Sequence, residues 1–148
     1  MATEHEGAGL RLECPVAGRD FIAAGEAAAR IKRALQQIGM DPETIRRVAI
    51  VAYEAEMNIV IHARCGTLTA LISPGRIDII AADEGPGIAD IALAMQEGYS
   101  TAPDDIRELG FGAGMGLPNI EKNSDQLSIH STIGVGTVVR ATILTGKG

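Results

Sequence analysis

Three features of this chain point to an α+β sandwich, with helices gathered on one face of a mixed or antiparallel sheet. Its later strand-like segments come in pairs joined by short glycine turns. Its two longest helical stretches follow one another directly, without the strict strand–helix alternation of a doubly wound fold. Its 148 residues, 46% apolar and 22% charged, suffice for one substantial core, read as one domain over 1–148.

The elements follow in order. After a glycine-containing start expected to be mobile, "LRLECPV" puts Leu10, Leu12, Cys14 and Val16 on one side, the period of a half-buried strand. "DFIAAGEAAARIKRALQQIG" carries Ile22, Ala29, Ile31, Ala34, Leu35 and Ile38 at helical spacing and stops at Gly39, a C-cap residue. Asp41 as N-cap with Pro42 at the first position opens a second helix, expected to run to about Ala63. "GTLTALIS" and "GRIDIIAAD", joined by "PG", read as an antiparallel hairpin. "DEGPGI" is a turn, and "DIALAMQEG" is a short helix. Residues 99–116 are polar and then glycine-dense, long enough to be a functional lid. "LPNIEKNS" reads as a helix, and "QLSIHST" with "GTVVRATIL" as a closing hairpin.

Charge and composition remove several function classes. The formal charge of −6 disfavours nonspecific nucleic-acid binding, which rests on Lys and Arg neutralising phosphates. No apolar run approaches the roughly 20 residues that cross a bilayer, and "MATEHEGAG" lacks a secretory layout, so a cytoplasmic protein is expected. Cys14 and Cys65 lie far apart with no zinc spacing, and both are expected to be small buried side chains. His5, His62 and His130 form no H-E-x-x-H pattern.

The helix "YEAEMNIVIHA" is apolar apart from Glu54, Glu56, Asn58 and His62. Glu54 and Asn58, four apart, share a face about 6 Å apart along the axis. They suit a general base and a hard-cation ligand, or a solvated helix face. Glu56, on another face, is read as solvated. Asp83 sits where a strand turns through Gly85 and Gly87; it could accept a hydrogen bond from an exocyclic amine, or simply make an Asp–Gly turn. Gly110, Gly112, Gly114 and Gly116 precede a helix, as an anion site or a hinge would. No Walker lysine follows them.

In combination these fragments are more specific. Glu54-x-x-x-Asn58, Asp83-x-Gly85-x-Gly87, Gly114-x-Gly116 and Gly136-Thr137 resemble the successive boxes of the GHKL ATP-binding family, over residues 10–144. The wording "DEGPGIADIALAMQEGYST" and "GAGMGLPNI" is similar to that of stand-alone bacterial anti-sigma-factor serine kinases, in the stressosome switch-kinase branch. The resemblance implies a two-layer Bergerat fold with an ATP lid at about 99–113. It implies that Asn58 holds Mg²⁺ on the triphosphate and that Glu54 takes a proton from the substrate hydroxyl. Asp83 would bind the adenine amine with Thr137 in support, and Gly85 and Gly87 would shape the adenine pocket. Gly112, Gly114, Met115, Gly116 and Leu117 would surround the nucleotide's phosphates. His62 matches a position often held by His in these kinases, with packing as an alternative role. Some relatives carry an Arg where this chain has Gly112, and Arg107 or Lys122 would have to replace it.

The implied activity is phosphorylation of Ser or Thr on a STAS-domain anti-anti-sigma or scaffold protein, using ATP and Mg²⁺. The competing expectation is a nucleotide-sensitive module that sequesters a sigma factor or activates a phosphatase without efficient transfer. A histidine-kinase catalytic domain ranks lower, and a homodimer is compatible with either leading reading. Neither needs a membrane or nucleic acid.

Overall fold

The computed structural model describes residues 2–5, 9–96 and 116–145. Along them run β1 (Ala2–His5), β2 (Gly9–Ala17), α1 (Glu26–Gln37), α2 (Pro42–His62), β3 (Cys65–Ser73), β4 (Arg76–Glu84), α3 (Ile91–Ala94), α4 (Gly116–Lys122), β5 (Gln126–Thr132) and β6 (Gly136–Leu144). The strands form one sheet in the order β1-β2-β3-β4-β6-β5, and every neighbouring pair is antiparallel. The architecture is α+β, as the pairing of strand-like segments predicts, and the sheet is antiparallel rather than mixed.

Alternation decides what faces the helices. Cys14, Leu68, Ala81, Val139 and Ile129 stand in one row across five strands. The first four are buried in the same core as Ile31 and Leu35 of α1, Val51 and Ile59 of α2, and Ile120 of α4, and Ile129 packs against it. Each fully buried Leu or Ile contributes about 2–3 kcal/mol by leaving water, so this row fixes the register: a one-residue slip would turn it outward. Two residues further along the same face come Asp83, Thr137 and Ser131. The row after a dry one is therefore polar, and it lies under the helices.

Local signals account for the helix ends. Asp41 accepts from the backbone N–H of Thr44 at 3.0 Å and from its hydroxyl at 2.8 Å, with Pro42 next in the chain. Gly39, at φ 77°, donates to Gln36 O, and Met40 donates to Leu35 O, closing α1 in a Schellman turn. Gly75, at φ 78°, makes the β3–β4 turn.

Four expectations need correction. The helix expected from Asp20 starts at Glu26, because Gly25 adopts φ 98° and interrupts it; Ile22 is left 98% exposed. Glu56 is not solvated. It is 2% exposed, and its carboxylate accepts from the backbone N–H groups of Gly25, Ala27 and Ala28 at 3.0, 3.2 and 2.9 Å. Ala2–His5 is not a loose start but an edge strand paired with β2. Cys14 is buried as expected, whereas Cys65 at the start of β3 is exposed. No helix of the described residues is long and apolar enough to cross a membrane.

Candidate functional site

α2 places the first two site residues. Glu54 and Asn58 are both half-buried and one helical turn apart. The start of α4 comes alongside them. A Cβ on Gly116 would lie 2.9 Å from Asn58 Oδ1, so a glycine is what lets the α4 backbone approach that carboxamide. One turn further along α4, the Asn119 side-chain amide donates to Glu54 Oε2 at 3.0 Å.

The sheet places the others. Asp83 is near the end of β4, and its Oδ1 accepts from the backbone N–H of Thr137 at 3.1 Å. Ser131 Oγ lies 2.9 Å from Thr137 Oγ1 and accepts from the backbone N–H of Ile88 at 2.7 Å. One hydroxyl thus ties the turn after β4 to the β5–β6 hairpin. Two glycines make this closeness possible. Gly87 has φ 82°, and a Cβ there would meet Thr132 O at 2.7 Å; a Cβ on Gly136 would overlap Asp83 O at 2.0 Å. Burial raises the Asp83 carboxyl above its ordinary range, and the Thr137 N–H only partly draws it back. That shift makes Asp83 a candidate functional residue.

The two groups of residues meet through the end of α2. A Cβ on Gly85 would lie 3.1 Å from Ala63 Cα, immediately beyond α2. Asn58 is five residues back, about 7–8 Å along the axis. Glu54, Asn58 and Gly116 thus adjoin where α2 meets α4, and Asp83, Gly85, Gly87 and Thr137 gather at the polar end of the sheet, where Gly85 abuts the residue after α2. Leu117 is buried in the core, where its side chain anchors α4. Lys122 ends α4, about 9 Å from Gly116 along the helix. Gly112, Gly114, Met115, Arg107 and the lid at 99–113 lie outside the described residues.

His62 closes α2 on the wall of an open cavity of about 780 Å³, with Arg19, Arg64, Pro86 and Val135 among its neighbours there. The imidazole reaches the surface, yet enough protein surrounds it that burial, and then the Arg19 charge, push its pKa below the usual value. It is not a core histidine; it follows Asn58 by one turn on the same side of α2 and shares its cavity with Gly85.

Sequence reasoning missed Asn119 and Ser131. Ser131 had a signal, since strand alternation puts it on the face of Leu127 and Ile129, where a hydroxyl needs a partner. Asn119 had a weaker one, a poor helix former between Leu117 and Ile120.

Among the described residues no cluster of three or more His, Cys, Asp or Glu could hold a metal ion. A hard cation here would have Asn58 Oδ1, which lies beside Gly116, as a neutral oxygen ligand. That donor suits Mg²⁺ shared with phosphate oxygens.

Comparison with known proteins identifies the family. The model of the histidine kinase-like ATPase domain matches residues 20–143. An anti-sigma F factor of Thermoanaerobacter sp. (strain X514) is 37% identical over 115 residues, covering 73% of this chain and 77% of that protein. The serine/threonine-protein kinase RsbT of Bacillus subtilis (strain 168) is 29% identical over 126 residues, covering 82% and 86%. A chain of the SiaB–SiaC complex from Pseudomonas aeruginosa superposes with a TM-score of 0.63 at 16% identity, covering 89% of this chain and 88% of its own, a likeness of fold. This chain therefore belongs to the histidine kinase-like (GHKL) ATPase family, alongside anti-sigma factors and a serine/threonine kinase.

Proposed function

We propose that residues 1–148 form a single cytoplasmic domain that binds Mg²⁺·ATP between α2, α4 and the ends of β4 and β6. In this reading it transfers the γ-phosphoryl group to a Ser or Thr of a STAS-domain partner. The observation that carries it is Asp83. Its Oδ1 is held by the Thr137 N–H at the polar end of the sheet, where a Cβ on Gly136 would overlap the Asp83 backbone. A carboxylate fixed in that way is prepared to accept from the adenine amine, while Gly85 and Gly87 leave room for a flat ring.

Each residue then has a task in the chain's own chemistry. Asp83 and Thr137 orient the base. Asn58 would hold Mg²⁺, which would neutralise charge on the triphosphate. Gly112, Gly114, Met115 and Gly116 would surround the phosphates, with Arg107 or Lys122 as the source of a cation. Glu54 accepts the proton of the partner's hydroxyl as its oxygen bonds to the γ-phosphorus. Transfer of this kind depends mainly on positioning and electrostatics.

Calorimetry tests the binding half. Wild type should bind ATP more tightly with Mg²⁺ than without, and Asn58→Ala should lose about tenfold or more of the Mg²⁺-dependent affinity. An unchanged Mg²⁺ dependence would remove Asn58 from the metal. For the transfer half, Glu54→Gln should keep ATP binding and slow labelling of the partner by about 10²- to 10⁴-fold, the range of a general base.

The anti-sigma F relatives favour a second reading in which the chain acts by docking to a sigma factor or phosphatase and ATP only biases its partner choice. Wild type that binds ATP and partner but transfers no label would favour it.

A further inference from the structure

α2 and α4 meet over one turn through two contacts. Gly116 lies against Asn58, and three residues later Asn119 donates to Glu54, four residues earlier on α2. The helices therefore run past each other in opposite directions at the point where the proposed base sits. Asn119 is well held. Its carbonyl accepts the side-chain amide of Asn123 at 2.9 Å, and the next residue, Ile120, is fully buried. Glu54 uses only Oε2 for this bond; among the described residues Oε1 carries no hydrogen bond. A half-exposed glutamate has three side-chain torsions to fix, and a donor on one oxygen places that oxygen and restricts the rotamers the carboxylate can adopt. A neutral amide does so without cancelling its charge, as a lysine or arginine would.

We propose that Asn119 is the positioning residue for Glu54, holding Oε2 so that Oε1 is the atom that meets the partner's hydroxyl. The role rests on the phosphotransfer reading above. In the step it serves, the hydroxyl proton passes to Oε1 and the hydroxyl oxygen bonds to the γ-phosphorus. The bond from that phosphorus to the bridging oxygen breaks, and its electron pair leaves on ADP. Because α4 begins at Gly116, the same short helix sets the neighbours of Asn58 and the aim of Glu54, which couples nucleotide binding to proton acceptance.

The test combines kinetics with a readout that needs no turnover. Asn119→Ala and the near-isosteric Asn119→Asp, which lacks the donor, should lower kcat for partner phosphorylation about 10- to 100-fold, as misaligned catalytic groups do. Their affinity for ATP should stay within about twofold of wild type, since neither change touches the proposed nucleotide contacts. In a Glu54→Gln background Asn119→Ala should cost nothing further, because residues acting as a unit are not additive. Separately, in nucleotide-free protein, the Asn119 side-chain amide resonances should shift when Glu54 is changed to Gln. Full kcat in Asn119→Ala, an equal loss in the Glu54→Gln background, a loss confined to ATP affinity, or an unmoved amide signal would each overturn the proposal. Wild type that binds ATP but transfers nothing overturns the kinase reading and this role with it. That result differs from an active wild type indifferent to Asn119.

Discussion

The buried charge of Asp83 works against the ligand-free fold. Its carboxyl is shifted upward chiefly by burial, and the one backbone donor from Thr137 does not compensate fully. A folded-state pKa above the unfolded value contributes stability that is present below the unfolded value, about 3.9, and is lost as pH rises through the folded value. At neutral pH the ionised group therefore costs stability in the ligand-free protein. Asp83→Asn keeps an oxygen for the Thr137 N–H and removes the charge. We expect its Tm without nucleotide to exceed that of wild type at pH 7, with the difference closing near pH 3, where Asp83 is protonated. The rise in Tm that ATP gives wild type should vanish, because an amide presents the adenine amine with less acceptor capacity and no charge. Scanning calorimetry at the two pH values decides it: a variant less stable than wild type at pH 7 would show Asp83 to be a structural cap.

At the scale of elements, the least foreseeable join is that between α1 and α2. Glu56 lies between Glu54 and Asn58 in sequence but 200° around the helix from the first, and it reaches the start of α1 instead of the cleft. Its carboxylate takes three backbone N–H groups at a helix N-terminus whose Gly25 cap has no side chain to offer. Glu56→Ala leaves those donors without a partner and should cost about 2–4 kcal/mol in urea unfolding at constant m, with Glu56→Gln less affected. A cost under about 0.5 kcal/mol would mean that water replaces the carboxylate readily. Nothing in the helical period announced this bond, since which helix end lies near Glu56 depends on the packed fold. The same gap explains Ile22. Its spacing fits an α1 face, but the turn at Gly25 ends that face early. By contrast Asp41-Pro42, Gly39 and Pro74-Gly75 are signals that act within a few residues, and each works as its local chemistry dictates.

Over the whole molecule, the α+β class and the hairpins β3–β4 and β5–β6 could be read from strand alternation and short turns, whereas the pairings β2–β3 and β4–β6 join segments far apart in sequence and could not. At the polar end of the sheet, Asp83 and Gly87 stood out as a break after a strand-like run, whereas Gly136 and Thr137 entered only through the family resemblance. The open face of the sheet was not legible, because its key residue lies inside an apolar-looking strand. Asp78, only 4% exposed, stands directly opposite Thr142 in the β4–β6 register and accepts its hydroxyl. Arg76 donates to both carboxylate oxygens, at 2.9 and 3.2 Å, and Arg140 approaches at 3.5 Å. Burial alone would raise this carboxyl, but the bonds from Arg76 and Thr142 and the two guanidinium charges outweigh it and hold the pKa below the ordinary value. The sign is opposite to that of Asp83. The stability from Asp78 is complete above the unfolded value, about 3.9, and is lost as pH falls through the lower folded value. Because β4 and β6 are central to the sheet, that loss should appear in global unfolding. Asp78→Asn should be less stable than wild type by about 1–3 kcal/mol at pH 7, since it loses charge-assisted bonds at a buried site. Its stability should also fall less steeply than that of wild type below about pH 4. Urea titrations across that range settle the matter: parallel acid limbs for the two proteins would mean that the Asp78 network does not govern acid unfolding.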